Sequence, residues 1–416
     1  MTSVARRIIA GGNHLDRDHI RASAMGLNGA IFSSKDRTHV PVWYRVGPPC
    51  RDTGRRLFCH RPNRHRPPGD RQAAARRDRG RPSVPHPHEV GACHRRDPMI
   101  LRRAVLAGIG GMALVGGGYA AGACRTAIAA ADAAVARRSS MIATTAGPLE
   151  YAIAGDGPPL MMIHGTGGGF DQGLLFAHGL RERGFRIVSP SRFGYLRSAF
   201  PDDASPAQQA DVLAELLDHL GIERLPVVGG SAGALSAAEF ALRHPDRCSH
   251  LVLLVPAANL TGRDPVEFTA VQEMAVGAVL GSDAAFWALS AVARDQMIRA
   301  LLATDPALLS RVAPQERRRA ELILDGILPV SRKADGLRTD AFWAGTPSPT
   351  DHGGIRVPTL VLSCEDDLFG TADTARRLSE RIPGARLTIW PEGGHIWLGH
   401  DEDVAREIAV FVESPT

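Results

Sequence analysis

Residues 227–245 read VVGGSAGALSAAEFALRHP. An apolar run climbs into Gly229-Gly230-Ser231-Ala232-Gly233, and an amphipathic helical pattern follows at once. The corner has the form G-x-S-x-G between a strand and a helix, the setting in which a serine is held out of a sheet as a nucleophile. A turn this sharp forces unusual backbone angles and accepts only small neighbours. Gly229, Gly230, Ala232 and Gly233 meet that demand. The N-terminus of the following helix favours negative charge developing beside the serine. The bland alternative is a packing corner without chemistry. The strand-to-helix placement favours the nucleophile.

Outward from this corner the chain alternates regularly. Apolar runs of strand length are Leu160–Ile163, Arg186–Ser189, Leu225–Val228, Leu251–Val255, Thr359–Leu362 and Arg386–Ile389. Helical patterns fall between or after them at Gln172–Arg183, Pro206–Leu220, Ala232–Arg243, Ala372–Arg381 and Glu402–Val412. Continuous apolar strands separated by amphipathic helices predict an α/β fold, a mostly parallel, doubly wound sheet covered on both faces. Leu149–Ile153 is expected to add an antiparallel edge strand. The alternation breaks over residues 257–350, which read as helical without a convincing strand. An insertion there, after the sixth strand, is expected to form a helical cap over the C-terminal edge, where open α/β sheets bind ligands. Leu280, Phe286, Trp287, Leu289, Phe342 and Trp343 would line the roof of an apolar pocket or form the cap's own core, the second being the commoner use of such residues.

A serine hydroxyl needs a base, and the base needs an orienting acid. Of the 16 histidines, His395 in IWPEGGHIWLGH follows the last strand, and two glycines let its loop bend over the sheet edge. His400 sits nearby but at a helix entry. The acid is expected after Thr359–Leu362, where SCEDDLFG offers Glu365, Asp366 and Asp367. Register selects Asp367, with Asp366 second. The order Ser231, Asp367, His395 is the one this architecture uses. A tetrahedral oxyanion also needs donors already in place. The turn in MMIHGTGGGFDQG supplies the N–H of Thr166, or of Gly167, to pair with that of Ala232, with His164 and Gly165 shaping the turn. The glycines there lack the Lys-Ser/Thr of a P-loop and the dinucleotide spacing.

The blocks HGTGGGFDQG, SPSRFGYLRS, GGSAG, VPTLVLSCEDD and GGH stand in an order that resembles the α/β-hydrolase superfamily with a helical cap, from about Gly147 to the C-terminus. That superfamily includes serine esterases, meta-cleavage C–C hydrolases and cofactor-free haloperoxidase-like proteins. SRFGYLRS occupies the place where relatives carry an Asp-x-x-Gly-x-Gly-x-Ser-like loop. The first two blocks further resemble a bacterial subgroup, some of whose members have an N-terminal membrane segment. The resemblance implies a serine hydrolase that cleaves a carboxylic ester, or a related acyl bond, of a small and fairly apolar substrate through an acyl-enzyme. It implies no metal and no organic cofactor. Serine at the elbow excludes the dehalogenase and epoxide-hydrolase relatives, which use aspartate. The alternatives are a C–C bond hydrolase of meta-cleavage type and a non-catalytic binding protein of the same fold.

The N-terminal third is different. Residues 1–98 hold twenty basic against eight acidic residues, so the overall formal charge of +5 conceals a basic block and an acidic remainder. Lysine is almost absent, at Lys35 and Lys333 alone. From Pro48 to Pro98 the text is Arg, Pro, His and Gly, too polar to offset ordering entropy, and residues 1–98 as a whole read as disordered or as outside the natural product. Without interleaved aromatics it is not expected to bind nucleic acid. Residues 99–146 read as a signal or anchor followed by a helical stalk at Ala127–Arg138. Arg102 and Arg103 precede an uncharged run, Ala104–Ala123, about long enough to span a bilayer. Basic residues ahead of it predict a membrane-anchored or exported, extracytoplasmic domain, here residues 147–416. The six cysteines form no C-x-x-C pair and no zinc spacing. Cys248 and Cys364 are expected at opposite sheet edges, too far apart for a disulfide.

Overall fold

The computed structural model describes residues 98–136, 138–258, 260, 281–346 and 350–414, with side chains in the first helix from residue 117 onward. These fall in one compact unit, Ala92–Thr416, and the basic block lies outside them.

Helix α1 (Pro98–Ala136) runs unbroken through the run expected as an anchor and through residues 127–136 of the expected stalk. The side chains of Ala104–Gly116 lie outside the described residues. Among the described residues no helix is long and apolar enough to cross a membrane. The far end of α1 rests on the sheet domain. Val135 packs with Ala152 and Phe170, and Asp132 pairs with Arg332 at 2.8 Å.

Eight strands form one sheet: β1 (Ser140–Thr144), β2 (Gly147–Ala154), β3 (Pro159–Ile163), β4 (Arg186–Pro190), β5 (Leu225–Gly230), β6 (Cys248–Leu254), β7 (Thr359–Cys364) and β8 (Arg386–Trp390). Their order is β1-β2-β4-β3-β5-β6-β7-β8. β1 and β2 pair antiparallel, β2 meets β4 antiparallel, and every other pairing is parallel. The expected edge strand at Leu149–Ile153 is therefore one place in from the edge, which belongs to β1. The exposed, mixed pattern of SMIAT gave β1 no apolar run to betray it.

Alternate residues of the central strands feed opposite layers, as a strand's period of two requires. Met161, Ile163, Leu251, Leu253 and Val361 enter one core. Leu160, Met162, Val252, Leu254, Leu360 and Leu362 enter the other. Helices α2 (Phe170–Phe176), α3 (His178–Glu182), α4 (Pro206–Leu220) and α5 (Gly233–Arg243) follow β3, β4 and β5. The single helix expected over Gln172–Arg183 is two, broken at Ala177. Helix α4 starts where Ser205 Oγ accepts the Gln208 N–H ahead of Pro206, and it stops at Gly221 in the left-handed region.

Between β6 and β7 the described cap helices are α6 (Asp283–Val292), α7 (Arg294–Leu301), α8 (Pro314–Asp325) and α9 (Ala334–Gly345). The cap has its own core, in which Phe286, Met297, Ile298, Ile323 and Leu324 meet Tyr195, Ile396 and Leu398 of the sheet-edge loops. Phe286 is thus a core residue, Trp287 and Leu289 pack partly against that core, Trp343 packs against the sheet's core, and Phe342 is exposed. Leu280 lies outside the described residues. Helices α10 (Thr371–Arg381) and α11 (Asp401–Val412) complete the layers. Cys248 and Cys364 are free and buried, at opposite ends of adjacent parallel strands.

Candidate active site

The loops after β3, β5, β7 and β8 all leave the C-terminal edge, which brings residues far apart in sequence to one place. Ser231 follows β5 with φ +51°, a left-handed conformation that costs a non-glycine residue about 1–3 kcal/mol. The surroundings hold it there. Its N–H donates to Leu254 O at 2.9 Å, and its carbonyl accepts the N–H groups of Ala234 and Ala257 at 3.0 and 3.1 Å. Gly233 lets α5 start against the end of β3, since a Cβ there would lie 2.4 Å from Ile163 O.

Ser231 Oγ is 2.8 Å from His395 Nε2, and His395 Nδ1 is 2.8 Å from Asp367 Oδ2. An ionised carboxylate only accepts, so Nδ1 carries the proton and Nε2 is free to accept from the serine hydroxyl. Asp367 and His395 are buried. The Asp367 carboxylate also accepts the Phe369 N–H at 2.8 Å and the Thr371 hydroxyl. Asp366 does something else: its Oδ1 accepts the N–H of Gly394 at 2.8 Å and so holds the loop rather than the ring. Of the two adjacent acids, Asp367 is the one that meets His395. The edge of Phe369 packs on the His395 ring at 4.9 Å.

The turn after β3 lies beside this row. Among the described residues the N–H groups of Thr166 and Ala232 donate to no protein acceptor. The N–H of Gly167 is already taken by Tyr195 Oη at 3.2 Å, which removes Gly167 as an alternative donor. His164 fixes the turn from within. Its Nδ1–H donates to Gly165 O at 2.7 Å and its Nε2 accepts the Arg192 N–H at 2.9 Å. Burial, with the Arg192 charge adding to it, holds this imidazole well below its ordinary pKa, which suits the neutral tautomer these bonds require. Gly165 donates its N–H to Gln172 Oε1 at 2.9 Å.

Behind the turn lies a charged group that sequence reasoning missed. Arg192 binds Asp340 of α9 in a two-pronged pair at 2.7 Å for each prong, and its Nε donates to His164 O. Tyr195 donates to the same Asp340 carboxylate at 2.5 Å. Burial and the Asp340 charge both push the Tyr195 hydroxyl well above its ordinary pKa. Lys333 is fully buried, and its Nζ donates to Gly167 O at 3.1 Å and Gly326 O at 2.5 Å. Burial lowers its pKa, against the opposing charges of Asp171, Glu150 and Asp283. Two cap residues therefore reach the turn, Lys333 directly and Asp340 through Tyr195. The available signal was rarity: in a chain with two lysines, one is spent inside the domain.

Residues 158–399 match the alpha/beta hydrolase fold family. The chain belongs to that family. Among curated relatives it is similar to the uncharacterized hydrolase YcgS of Bacillus subtilis, 28% identical over 298 residues, covering 67% of this chain and 99% of the relative. It is also similar to a 2-hydroxy-6-oxo-6-phenylhexa-2,4-dienoate hydrolase of Burkholderia cepacia, 28% identical, covering 58% of this chain and 82% of the relative. Among solved structures, an alpha/beta hydrolase fold protein from Nakamurella multipartita superposes with a TM-score of 0.56 at 24% identity, covering 66% of this chain and 98% of that one. That likeness speaks for the fold alone.

Proposed function

We propose that the chain is a serine hydrolase that cleaves a carboxylic ester, or a related acyl bond, of a small and fairly apolar substrate. The observation that carries this reading is the continuous hydrogen-bonded row Ser231–His395–Asp367, with 2.8 Å at each step. Ser231 Oγ attacks the carbonyl carbon while His395 Nε2 takes its proton. Asp367 keeps the imidazole in the required tautomer and offsets the charge that forms on it. The N–H groups of Thr166 and Ala232, with the α5 N-terminus behind them, stabilise the oxyanion. His395 returns the proton to the leaving group, and water attacks the acyl-enzyme by the same route.

A C–C bond hydrolase is the second reading, favoured by the likeness to the dienoate hydrolase over 82% of that relative's length. The same serine, base and oxyanion donors would serve it. A series of p-nitrophenyl esters of increasing acyl length, run beside a 2-hydroxy-6-oxo-dienoate, separates the two. Turnover of a short or medium ester that is lost in Ser231→Ala supports the first reading. Turnover of the dienoate alone supports the second, and an inert parent chain refutes both in favour of a non-catalytic binding protein.

We also propose that the domain is exported or held at a membrane. The uncharged run Ala104–Ala123 behind Arg102 and Arg103 supports this. Recovery of the full chain in the soluble cytoplasmic fraction alone would refute it.

A further inference from the structure

The His395 ring is aimed by the loop that runs from Trp390 at the end of β8 to Asp401 at the start of α11. The backbone of this loop is bent against preference. Trp397 is in the left-handed region with φ +42°, held by Leu398 N to Gly393 O at 2.7 Å and His400 N to Trp397 O at 3.0 Å. A tryptophan pays for that conformation with strain of about 1–3 kcal/mol unless its surroundings over-determine it.

The Trp397 ring packs in the sheet-side core against Phe176, and its Nε1–H donates to Asp401 at 3.1 Å; the cap holds the backbone. Arg319 on α8 is buried, and its Nη2 donates to Ile396 O at 2.7 Å and to Trp397 O at 3.3 Å, the two carbonyls directly after His395. Its guanidinium lies 5.3 Å from the centre of the Trp397 ring. Glu316, one turn earlier on α8, accepts from the same Nη2 at 2.9 Å and also from Gly399 N at 2.9 Å. Asp401 stands 3.5 Å from Arg319 Nε. On the other side of His395 the cap touches again. Gly394 has φ +60°, and a Cβ there would lie 2.4 Å from Thr304 Oγ1. Ala303 O accepts the N–H of Leu368, the residue after Asp367, at 3.0 Å.

We propose that Arg319 is a positioning residue for the reaction: by fastening the carbonyls of Ile396 and Trp397 to α8, it makes the aim of His395 depend on the seating of the cap. This rests on the serine-hydrolase reading. The rigid plane matters: Nη2 meets both carbonyls and, with Nε at 3.4 Å, the Glu316 carboxylate, in directions that the guanidinium fixes and an ammonium on a flexible stem does not. A base displaced by about 1 Å loses roughly a hundredfold in rate while the substrate pocket keeps its affinity.

The test uses the full chain. Competent sites are counted by titrating each preparation to completion with a fluorophosphonate. Then kcat per titrated site and KM are measured on the best p-nitrophenyl ester for the parent, Arg319→Met, Arg319→Lys and the cap-surface control Arg294→Met. The expected result is a kcat per site lowered about 10- to 100-fold in Arg319→Met with KM within about twofold, part of the loss recovered in Arg319→Lys, and no change in the control. Should Arg319→Met not fold, Arg319→Lys carries the test alone, with kcat per site expected to be lowered about 5- to 20-fold at unchanged KM. A kcat per site within threefold of the parent in the folded Arg319 variants overturns the proposal, whatever happens to their melting temperature. A parent that takes up no fluorophosphonate overturns the serine-hydrolase reading itself, before any Arg319 variant is compared.

Discussion

Asp340→Ala removes the acceptor of a buried, two-pronged ion pair and leaves its partner in place. The side chains of Arg192 and Asp340 are 8% and 4% exposed, so little water can take over the lost bonds. Arg192 keeps its Nε bond to His164 O, but both terminal nitrogens lose their partners. The Tyr195 hydroxyl loses its acceptor as well. Stranding one member of a buried pair costs about 3–5 kcal/mol, and an unsatisfied buried hydroxyl about 1–3 kcal/mol. The two losses overlap at one carboxylate, so about 4 kcal/mol is expected in all. At roughly 2 °C per kcal/mol for a domain of about 270 residues, that is about 8 °C in melting temperature. Thermal and urea unfolding of the parent, Asp340→Ala and the apolar double variant Arg192→Met/Asp340→Leu measure it. The double variant should recover about half of the loss, because no buried charge is then left alone while the Tyr195 hydroxyl still lacks its acceptor. A single variant within 1 kcal/mol of the parent, or a double variant no more stable than the single, refutes the reasoning.

Two further outcomes follow from neighbouring groups. Asp367→Asn, which disturbs the tautomer of His395, should lower kcat by about 10³- to 10⁴-fold, while Asp366→Asn, whose amide oxygen can still accept from Gly394 N, should stay within about tenfold of the parent; steady-state kinetics that rank them the other way would reassign the acid. His352 is held down to about 4 by burial and the Arg381 charge, so below pH 6.5 the unfolded chain takes up its proton first. The stability this group leaves intact above pH 6.5 is lost as pH falls towards 4, by about 3 kcal/mol. Urea midpoints of His352→Gln should therefore fall less steeply with acid than the parent's, and parallel curves would sink the assignment.

The legible parts were those with local signals. Buried parallel strands read as unbroken apolar runs, and the elbow, the histidine loop and the acid turn each follow such a run, so Ser231, Asp367 and His395 could be picked by position. Asp367 could be told from Asp366 only by register, because both precede the same turn and one residue decides which carboxylate faces His395. The edge strand β1 was illegible because an exposed edge needs no apolar alternation. The helix break at Ala177 left the hydrophobic pattern intact. The contacts between the cap and the sheet-edge loops were the hardest. Arg192 and Asp340 lie 148 residues apart, and helical periodicity says which face of α9 is buried, not which charge it meets there. Arg319 sits in PQERRRAELILD, where three adjacent arginines look alike and one of them turns inward.

The central claim is that Ser231 is a nucleophile activated by His395. Intact-mass and peptide-level mapping of the full chain after exposure to a fluorophosphonate tests it most directly. The account predicts one adduct per chain, on Ser231, formed at least about a hundredfold more slowly in His395→Ala and absent in Ser231→Ala. An unlabelled parent, or an adduct that persists in Ser231→Ala, would contradict it.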